Sequence, residues 1–536
     1  MKKFLILTCV LLVLTIYLAF RYFSNLSVDS RKSDAVLTSI PADAALVLEF
    51  SHDRTFYEIF RDYPLFEYLL GHGRSEKIQD IRQVLDAHPK VAALLDDQKV
   101  FVSLHHDRDS VSLLWSAGLK EAVPEKKLIA SLGGPEAIRK AGNLFAVSIK
   151  DRKEPFFLLV NGTTAAGSFS RPLLEKVAAR KTPGIGSDFI REINAGTAGS
   201  RNSILNLFID YRTLLPFLGS FYREKLSGNF SLLNHISGFS TLNMNFKSDA
   251  MMFNGITTVD TVKPAYLGIF LHQQAAESTM MRLIPQSTAN AIQFALTDYG
   301  RFEKDLRGLF RARGELEKLQ ADLKRMTSET GIDPERDVRE NWGHEFSTFQ
   351  TANHERFGMI RVRDGRKLGF LLEPLSREAG DGIRRLDYPN LLYFYFGDPF
   401  RSFKRPYYYI TDNLLVFSNS QAGLRNYISD YQRQHFLYTT PRYRSFEQLV
   451  SNQSNISLFI HNGNSRSITR SSLRGTFGGS FSARNSPLRN FYGLSYQWTS
   501  DDGHFFTNLY LATVQEEEPV PAISDSLLRS IDTLIR

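Results

Sequence analysis

Cysteine is almost absent from this sequence of 536 residues: Cys9 is the only one, and it lies in an apolar stretch near the N-terminus. The remainder therefore has no disulfide bond, no thiolate metal site and no cysteine nucleophile. A eukaryotic secreted protein of this length would usually carry several disulfides. Their absence favours a bacterial envelope protein or a protein that faces the cytosol.

The sequence also lacks the short motifs of common catalytic sites. It has no Gly-x-Ser-x-Gly elbow, no phosphate-binding loop with a lysine, and no second histidine to complete a zinc motif after His344 or His354. The run from His105 to Asp109 contains metal-ligand types, but adjacent side chains diverge, which favours a solvated turn. We expect no metal and no cofactor, and the sequence favours a protein that is not an enzyme. A hydrolase whose catalytic groups meet only in space stays open.

No concentrated block of charge is present either. The 65 basic and 57 acidic residues give a net charge of +8, and the two signs are interleaved along the chain. A nucleic-acid binder usually gathers its basic residues in a stripe or an arm. We therefore expect no nucleic-acid partner, while 43% hydrophobic residues are ample for a globular core.

What is present begins with an uncharged run, Phe4 to Phe20, behind Lys2 and Lys3. As a helix it would span about 25 Å, near the lower limit for a bilayer. The lysines favour an N-terminus that stays in the cytoplasm. A cleaved signal peptide is the alternative, but bulky residues from Tyr17 to Tyr22 stand where small ones are needed. The sequence thus predicts a single-pass membrane anchor.

The rest of the chain contains a long internal repeat with offsets of 244 to 252 residues. The matching segments are Ile40–Phe50 with Ile284–Phe294, Lys153–Phe157 with Lys404–Tyr408, Leu207–Ile209 with Leu458–Ile460, and Phe246–Phe253 with Trp498–Phe505. Coincidence among strand-like segments is the alternative to duplication. The predicted organisation is an anchor and stem (1–33), a first module (34–262), a linker (263–277), a second module (278–514), and an acidic linker with a short amphipathic helix (515–536).

Short apolar runs joined by turns predict antiparallel strands in both modules. They are predicted at 44–50, 100–104, 112–115, 144–149, 156–160, 204–209, 242–246, 251–257, 391–396, 407–410, 414–417, 456–460, 492–498 and 505–511. Helical spacing occurs at 54–70 and, as one long helix, at 299–327. The predicted fold class is α+β: two tandem related modules of antiparallel sheet with helices packed on one face, preceded by one transmembrane helix.

Three of these segments resemble an uncharacterised family of bacterial envelope proteins, a domain of unknown function. They are the opening Ile40-Pro41-Ala42-Asp43-Ala44, a long helix that closes in Gly331-Ile332-Asp333 and Asp337-Val338, and the strand from Asn413 to Ser420. The spacing to Trp342-Gly343 departs by one residue from the family's pattern. The resemblance implies fold and location only: the bacterial inner membrane, with the soluble region in the periplasm, or secretion to the periplasm after signal cleavage.

Two segments suggest a binding surface. On a strand, Tyr393 and Tyr395 would share the outward face, with Arg401, Lys404 and Arg405 at the hairpin tip. The acid-free segment from Asn464 to Asn490 adds further arginines, namely Arg466, Arg470, Arg474 and Arg484. A simple strand face and a mobile basic loop are the alternatives.

The function predicted first is non-catalytic binding or scaffolding of a protein or envelope polymer at the membrane. The second is binding of a lipid or another apolar ligand, and the third is an unrecognised hydrolase. A cavity lined by apolar residues would favour the second prediction, and a cleft with clustered carboxylates or histidines the third.

Overall fold

A computed structural model describes residues 33–513, apart from gaps at 53–57, 59–62, 71, 97, 108–109, 133–136, 151, 180–183, 201–202, 224–235, 248 and 475–485. Its strands are β1 (Leu46–Ser51), β2 (Lys99–Asp107), β3 (Ser110–Gly118), β4 (Ile138–Ala141), β5 (Leu144–Val147), β6 (Phe156–Asn161), β7 (Thr164–Ser168), β8 (Asn206–Asp210), β9 (Gly238–Lys247), β10 (Ala250–Val259), β11 (Thr288–Ala295), β12 (Trp342–Thr351), β13 (Arg356–Val362), β14 (Ser376–Gly380), β15 (Ile383–Leu386), β16 (Tyr407–Thr411), β17 (Leu414–Ser418), β18 (Ile456–His461), β19 (Phe491–Asp501) and β20 (His504–Thr513).

The α-helices, besides a short turn at 33–37, are α1 (Pro64–Leu70), α2 (His72–Ala87), α3 (Pro89–Leu95), α4 (Glu125–Ser131), α5 (Arg171–Ala179), α6 (Ser187–Gly199), α7 (Tyr211–Phe221), α8 (Tyr299–Ala312), α9 (Leu316–Thr330), α10 (Gly365–Leu372), α11 (Leu391–Phe396), α12 (Gln421–Gln432), α13 (Pro441–Glu447) and α14 (Arg466–Ser472). Short 3-10 segments lie at Tyr266–Phe270, Met280–Leu283, Arg339–Asn341, Glu373–Leu375, Asp398–Phe400, Leu437–Thr439 and Pro487–Asn490, and a π turn at Pro334–Val338.

The strands form one continuous antiparallel sheet of 20 strands. The pairings give the order β4-β5-β6-β7-β3-β2-β1-β8-β9-β10, followed by β20-β19-β18-β11-β12-β13-β17-β16-β15-β14. We call β1–β10 with their helices the first half and β11–β20 with theirs the second half. The second half runs through the same strand order as the first, in the reverse direction across the sheet.

The two halves meet where β10 pairs with β20 in antiparallel register. Asn254 stands opposite Asn508, and its side-chain Nδ2 donates to Asn508 Oδ1 at 2.8 Å. The two asparagines occupy the same position in their strands, each the fifth residue. The junction therefore has the local symmetry of a two-fold axis, and the duplication predicted from the sequence stays a prediction.

The predicted fold class is wrong in two respects. The β10–β20 pairing joins what was expected to be two separate sheets into one. Helices also cover both faces of that sheet: α8, α9 and α11 pack on one, while α6, α12 and α13 pack on the other. The segment 263–277, predicted as a linker, buries Tyr266, Leu267 and Phe270 in the core.

The predicted transmembrane helix has no counterpart in the described part of the chain, where no helix is long and apolar enough to cross a membrane. The anchor was predicted at residues 1–33, and all but the last of these lie outside the described residues. The C-terminal segment predicted at 515–536 lies outside them as well.

Two local predictions also need correction. The segment Leu391–Phe396 is a helix and not a strand, and all six of its side chains are buried. A uniformly apolar run has no alternation from which its secondary structure could be inferred. The single helix predicted at 299–327 is divided into α8 and α9 at Gly314, whose φ of 68° is a left-handed conformation that ends a helix.

Candidate functional site

The tyrosine surface predicted from the sequence is wrong, because Tyr393 and Tyr395 lie inside the core on α11 and are 5% and 1% exposed. The Tyr393 hydroxyl donates to Glu315 Oε2 at 2.5 Å, and the Tyr395 hydroxyl donates to the Pro334 carbonyl at 2.7 Å. Arg401 lies over the Tyr393 ring and forms an ion pair with Glu315 at 2.8 Å. Burial raises the pKa of both tyrosines. The two tyrosines hold α11 in place and do not face solvent.

The predicted basic residues are exposed but belong to two different segments. Lys404 and Arg405 precede β16, whereas Arg466 and Arg470 lie on α14. Arg474 follows α14, and its backbone N–H donates to the Phe221 carbonyl at the end of α7, at 2.7 Å. Arg484 lies outside the described residues. Whether any of them binds a ligand remains a prediction.

A Ser-His-Asp chain connects β2 to the loop that precedes β1. Ser103 Oγ lies 2.8 Å from His105 Nε2, and His105 Nδ1 lies 2.9 Å from Asp43 Oδ1. The hydrogen bond with His105 lowers the pKa of Asp43. Ser103 is 0% exposed and His105 1%, so the hydroxyl cannot reach a substrate, as a nucleophile must. The chain fixes the Pro-Ala-Asp opening to the sheet, and the solvated turn predicted for His105 is wrong.

Metal-ligand side chains are scattered over the described ranges. Within them, no group of three or more His, Cys, Asp or Glu side chains lies close enough together to hold a metal ion.

A difference between equivalent positions of the two halves is the most informative feature. In the first half, β3 and β7 place Ala117 opposite Ala165. In the second half, the equivalent strands β13 and β17 place Ile360 opposite Leu415. Ser168 and Ser418 anchor this comparison, because each ends its strand and donates to a carbonyl of the partner strand, at 2.7 and 2.8 Å. Two alanines thus replace an isoleucine and a leucine, a loss of six side-chain carbons.

The adjacent layer shows no such loss. Trp115 stands opposite Gly167 in the first half, and Gly358 stands opposite Phe417 in the second. Each pair combines one large aromatic residue with one glycine, so the large side chain has only changed strands. Of these two layers, only that of Ala117 and Ala165 has lost volume.

The helices that pack on these layers also bury less apolar surface in the first half than in the second. In the second half, α8 and α9 press fully buried side chains against the sheet, among them Phe302, Leu306 and Phe310. In the first half, α2 and α3 occupy the equivalent connection, between the first two strands. The apolar residues of α2, including Ile78 and Ile81, are only half-buried, and α3 has no buried residue. Helices with so little buried surface open at low cost in free energy.

The missing volume appears as a cavity of about 140 Å³ between α2–α4 and the sheet. Apart from His52, Ser116 and the indole of Trp115, its lining side chains are apolar; they include Ile78, Ile81, Val84, Leu94, Ala117 and Ala165. A cavity of roughly 150 Å³ lined by such residues stays dry and takes up benzene or xenon. The first half thus contains space for an apolar group of about six carbon atoms.

Comparison with known proteins adds little to this description. The sequence matches no family model and no curated protein. Among solved structures, the chain is similar to the protein in "Structure of crystal form I of TP0453", at 11% sequence identity over 46% of this chain and 88% of that chain, with a TM-score of 0.24. Similarity at this level carries no argument about function, and the resemblance to an envelope family remains a prediction.

Sequence reasoning missed the cavity, although a signal was available. The repeat matched Phe156 with Tyr407 at an offset of 251, and an offset shorter by one residue brings the Thr-Ala-Ala-Gly-Ser of β7 beside the Leu-Leu-Val-Phe-Ser of β17. Small residues against large ones at equivalent positions would have indicated space in the first half.

Proposed function

We propose that this protein is a non-catalytic binding protein that takes an apolar group into the cavity beneath α2 and α3. The observation that carries the proposal is the exchange of Ile360 and Leu415 for Ala117 and Ala165 at equivalent positions of the same sheet. An empty apolar cavity costs stability, about 24 cal/mol per Å³, so leaving one open without an occupant is unfavourable. A bound apolar group offsets that cost.

Of the functions predicted from the sequence, this is the second, the binding of a lipid or another apolar ligand. Binding of a protein or an envelope polymer remains a prediction, as do the periplasmic location and the absence of catalysis. The cavity supports the ligand-binding alternative because its lining offers almost no polar atom to hold a reacting group.

Quenching of Trp115 fluorescence tests the proposal on the full chain. Trp115 lines the cavity, while the other two tryptophans, Trp342 and Trp498, are fully buried in the core. Bromine quenches an indole only near contact, so bromohexanol with bromine on its last carbon should reduce the Trp115 emission on binding. The Trp115→Phe variant shows how much of the total fluorescence comes from Trp115.

The matched variant replaces Ala117 with Ile and Ala165 with Leu, which gives the first half the residues of the second. It should abolish the quenching, whereas Ala312→Leu, which adds three carbons on the exposed side of α8, should not. In a series of unbranched alcohols that compete with the probe, affinity should rise about fourfold per methylene until the chain has about six carbons, and then level off. Absence of saturable quenching in the wild type, or equal quenching in the filled variant, would refute the proposal.

A further inference from the structure

A polar groove adjoins the apolar cavity and shares a wall with it. The groove has a volume of about 1050 Å³ and lies where β2 ends and β3 begins, beside the N-terminal part of α2. Trp115 lines both spaces. Helix α2 also serves both, because Lys77 lines the groove while Ile78 and Ile81 line the cavity. A molecule with a polar end and an apolar end can therefore occupy the two spaces at once.

The border between them is aromatic. Trp115, Phe156 and Phe169 contact one another edge to face, with ring centroids 5.2 to 6.2 Å apart. Two cations lie over Phe169 on the groove side: Lys77 Nζ is 4.9 Å from the ring centroid, and the Arg152 guanidinium carbon is 5.8 Å from it. The change from apolar to charged surroundings thus occurs across a single layer of rings.

Cations outnumber acids in the groove lining. The charged lining residues are Lys77, Arg152, Lys153 and Arg171 against Asp107 and Glu154. From outside the lining, Asp80 and Glu76 hold Arg152, and Glu175 pairs with Arg171. Lys77 is less firmly held, since it lies 3.5 Å from a carboxylate oxygen of Glu154, whose side chain is 71% exposed.

The less exposed of the two lining acids, Asp107, already has donors. Ser112 and Ser170 donate to Asp107 Oδ2 at 2.8 and 2.9 Å. Hydrogen bonds to a carboxylate stabilise its charge, so this acid needs no cationic ligand. Lys77, which lies over Phe169 at the border with the apolar cavity, is the best placed group to receive the charge of a ligand.

We infer that the ligand is a single-chain amphiphile with an anionic head group, a carboxylate or a phosphate, whose chain lies in the cavity and whose head lies in the groove beside Lys77. This inference rests on the proposed function and adds the chemistry of the second end. An exposed ion pair contributes up to about fivefold in affinity, and salt weakens it.

The test compares probes that share one chain and differ in the head: bromohexanol, bromohexanoate, bromohexyl phosphate and bromohexylammonium. Quenching of Trp115 in the full chain gives each dissociation constant. We expect one or both anionic probes to bind about fivefold more tightly than the alcohol, and the ammonium probe to bind more weakly than the alcohol. The two anionic probes distinguish a carboxylate head from a phosphate head.

The variant Lys77→Gln should remove most of the anionic advantage, measured as the ratio of the affinity for an anionic probe to the affinity for bromohexanol. Lys126→Gln, which removes a lysine from the exposed side of α4, is the charge-matched control and should leave that ratio unchanged. If the alcohol binds as tightly as both anions, or the ammonium binds most tightly, the head-group inference is wrong and the proposed function stands. If no probe quenches Trp115, both are wrong.

Discussion

Filling the cavity should stabilise the protein as well as block binding. The double variant with Ala117→Ile and Ala165→Leu restores the six carbons by which the first half differs from the second. At about 24 cal/mol per Å³, removing an empty cavity of about 140 Å³ corresponds to about 3 kcal/mol. The free energy of unfolding should therefore rise by up to about 3 kcal/mol, less whatever strain the new side chains introduce.

Urea unfolding followed by circular dichroism measures this change, and hydrogen exchange in β3 and β7 locates it. The reverse exchange, Ile360→Ala with Leu415→Ala, is the matched control and should cost about 2–5 kcal/mol for each side chain. A filled variant with a lower free energy of unfolding than the wild type would mean that the space is not empty, and the reasoning from equivalent positions would be refuted.

Two further variants test hydrogen bonds that stabilise the fold outside the cavity. Because the hydrogen bond with His105 lowers the pKa of Asp43, that bond stabilises the fold above the ordinary aspartate pKa of about 4 and is lost as pH falls through the lowered value. Asp43→Ala should therefore cost about 1 kcal/mol at neutral pH, allowing for its half-exposed carboxylate, and almost nothing in strong acid; an equal cost at both pH values in urea unfolding would contradict this. Tyr395→Phe removes one of two donors to the Pro334 carbonyl, which also accepts from the Arg339 backbone N–H, and should cost about 1 kcal/mol in the same assay while Trp115 quenching is unchanged; wild-type stability would contradict the role given to this hydroxyl.

The sequence predicted correctly several strands that pack one face against a hydrophobic core. Leu207–Ile209 and Leu458–Ile460, matched in the repeat, are β8 and β18, and each pairs with the first strand of its half. Alternation and turns are local properties, so they can be recognised without the fold. The pairing of β10 with β20 could not be recognised in this way, because an edge strand and an internal strand have the same local pattern.

The cavity could not be predicted from the sequence for a different reason. An alanine such as Ala117 has no chemical signature, and it becomes informative only when the residue at the equivalent position, Ile360, is known. The tyrosines of α11 misled because a buried helix and a half-exposed strand both contain aromatic residues in close succession. Residue type alone pointed to Tyr393 and Tyr395, and burial places both inside the core.

The pairing of β10 with β20 has a consequence for how substitutions act on this protein. In a symmetric dimer of identical chains, every substitution is present in both subunits. A subunit that gained a cavity would therefore be paired with a subunit that has the same cavity. Here both halves are encoded separately and always assemble one to one. The first half can therefore have the small Ala117 while the second half keeps the large Ile360. The densely packed second half can then stabilise the less densely packed first half, because the two halves share one sheet. Asn254 and Asn508 lie on β10 and β20, the two strands through which the second half would stabilise the first.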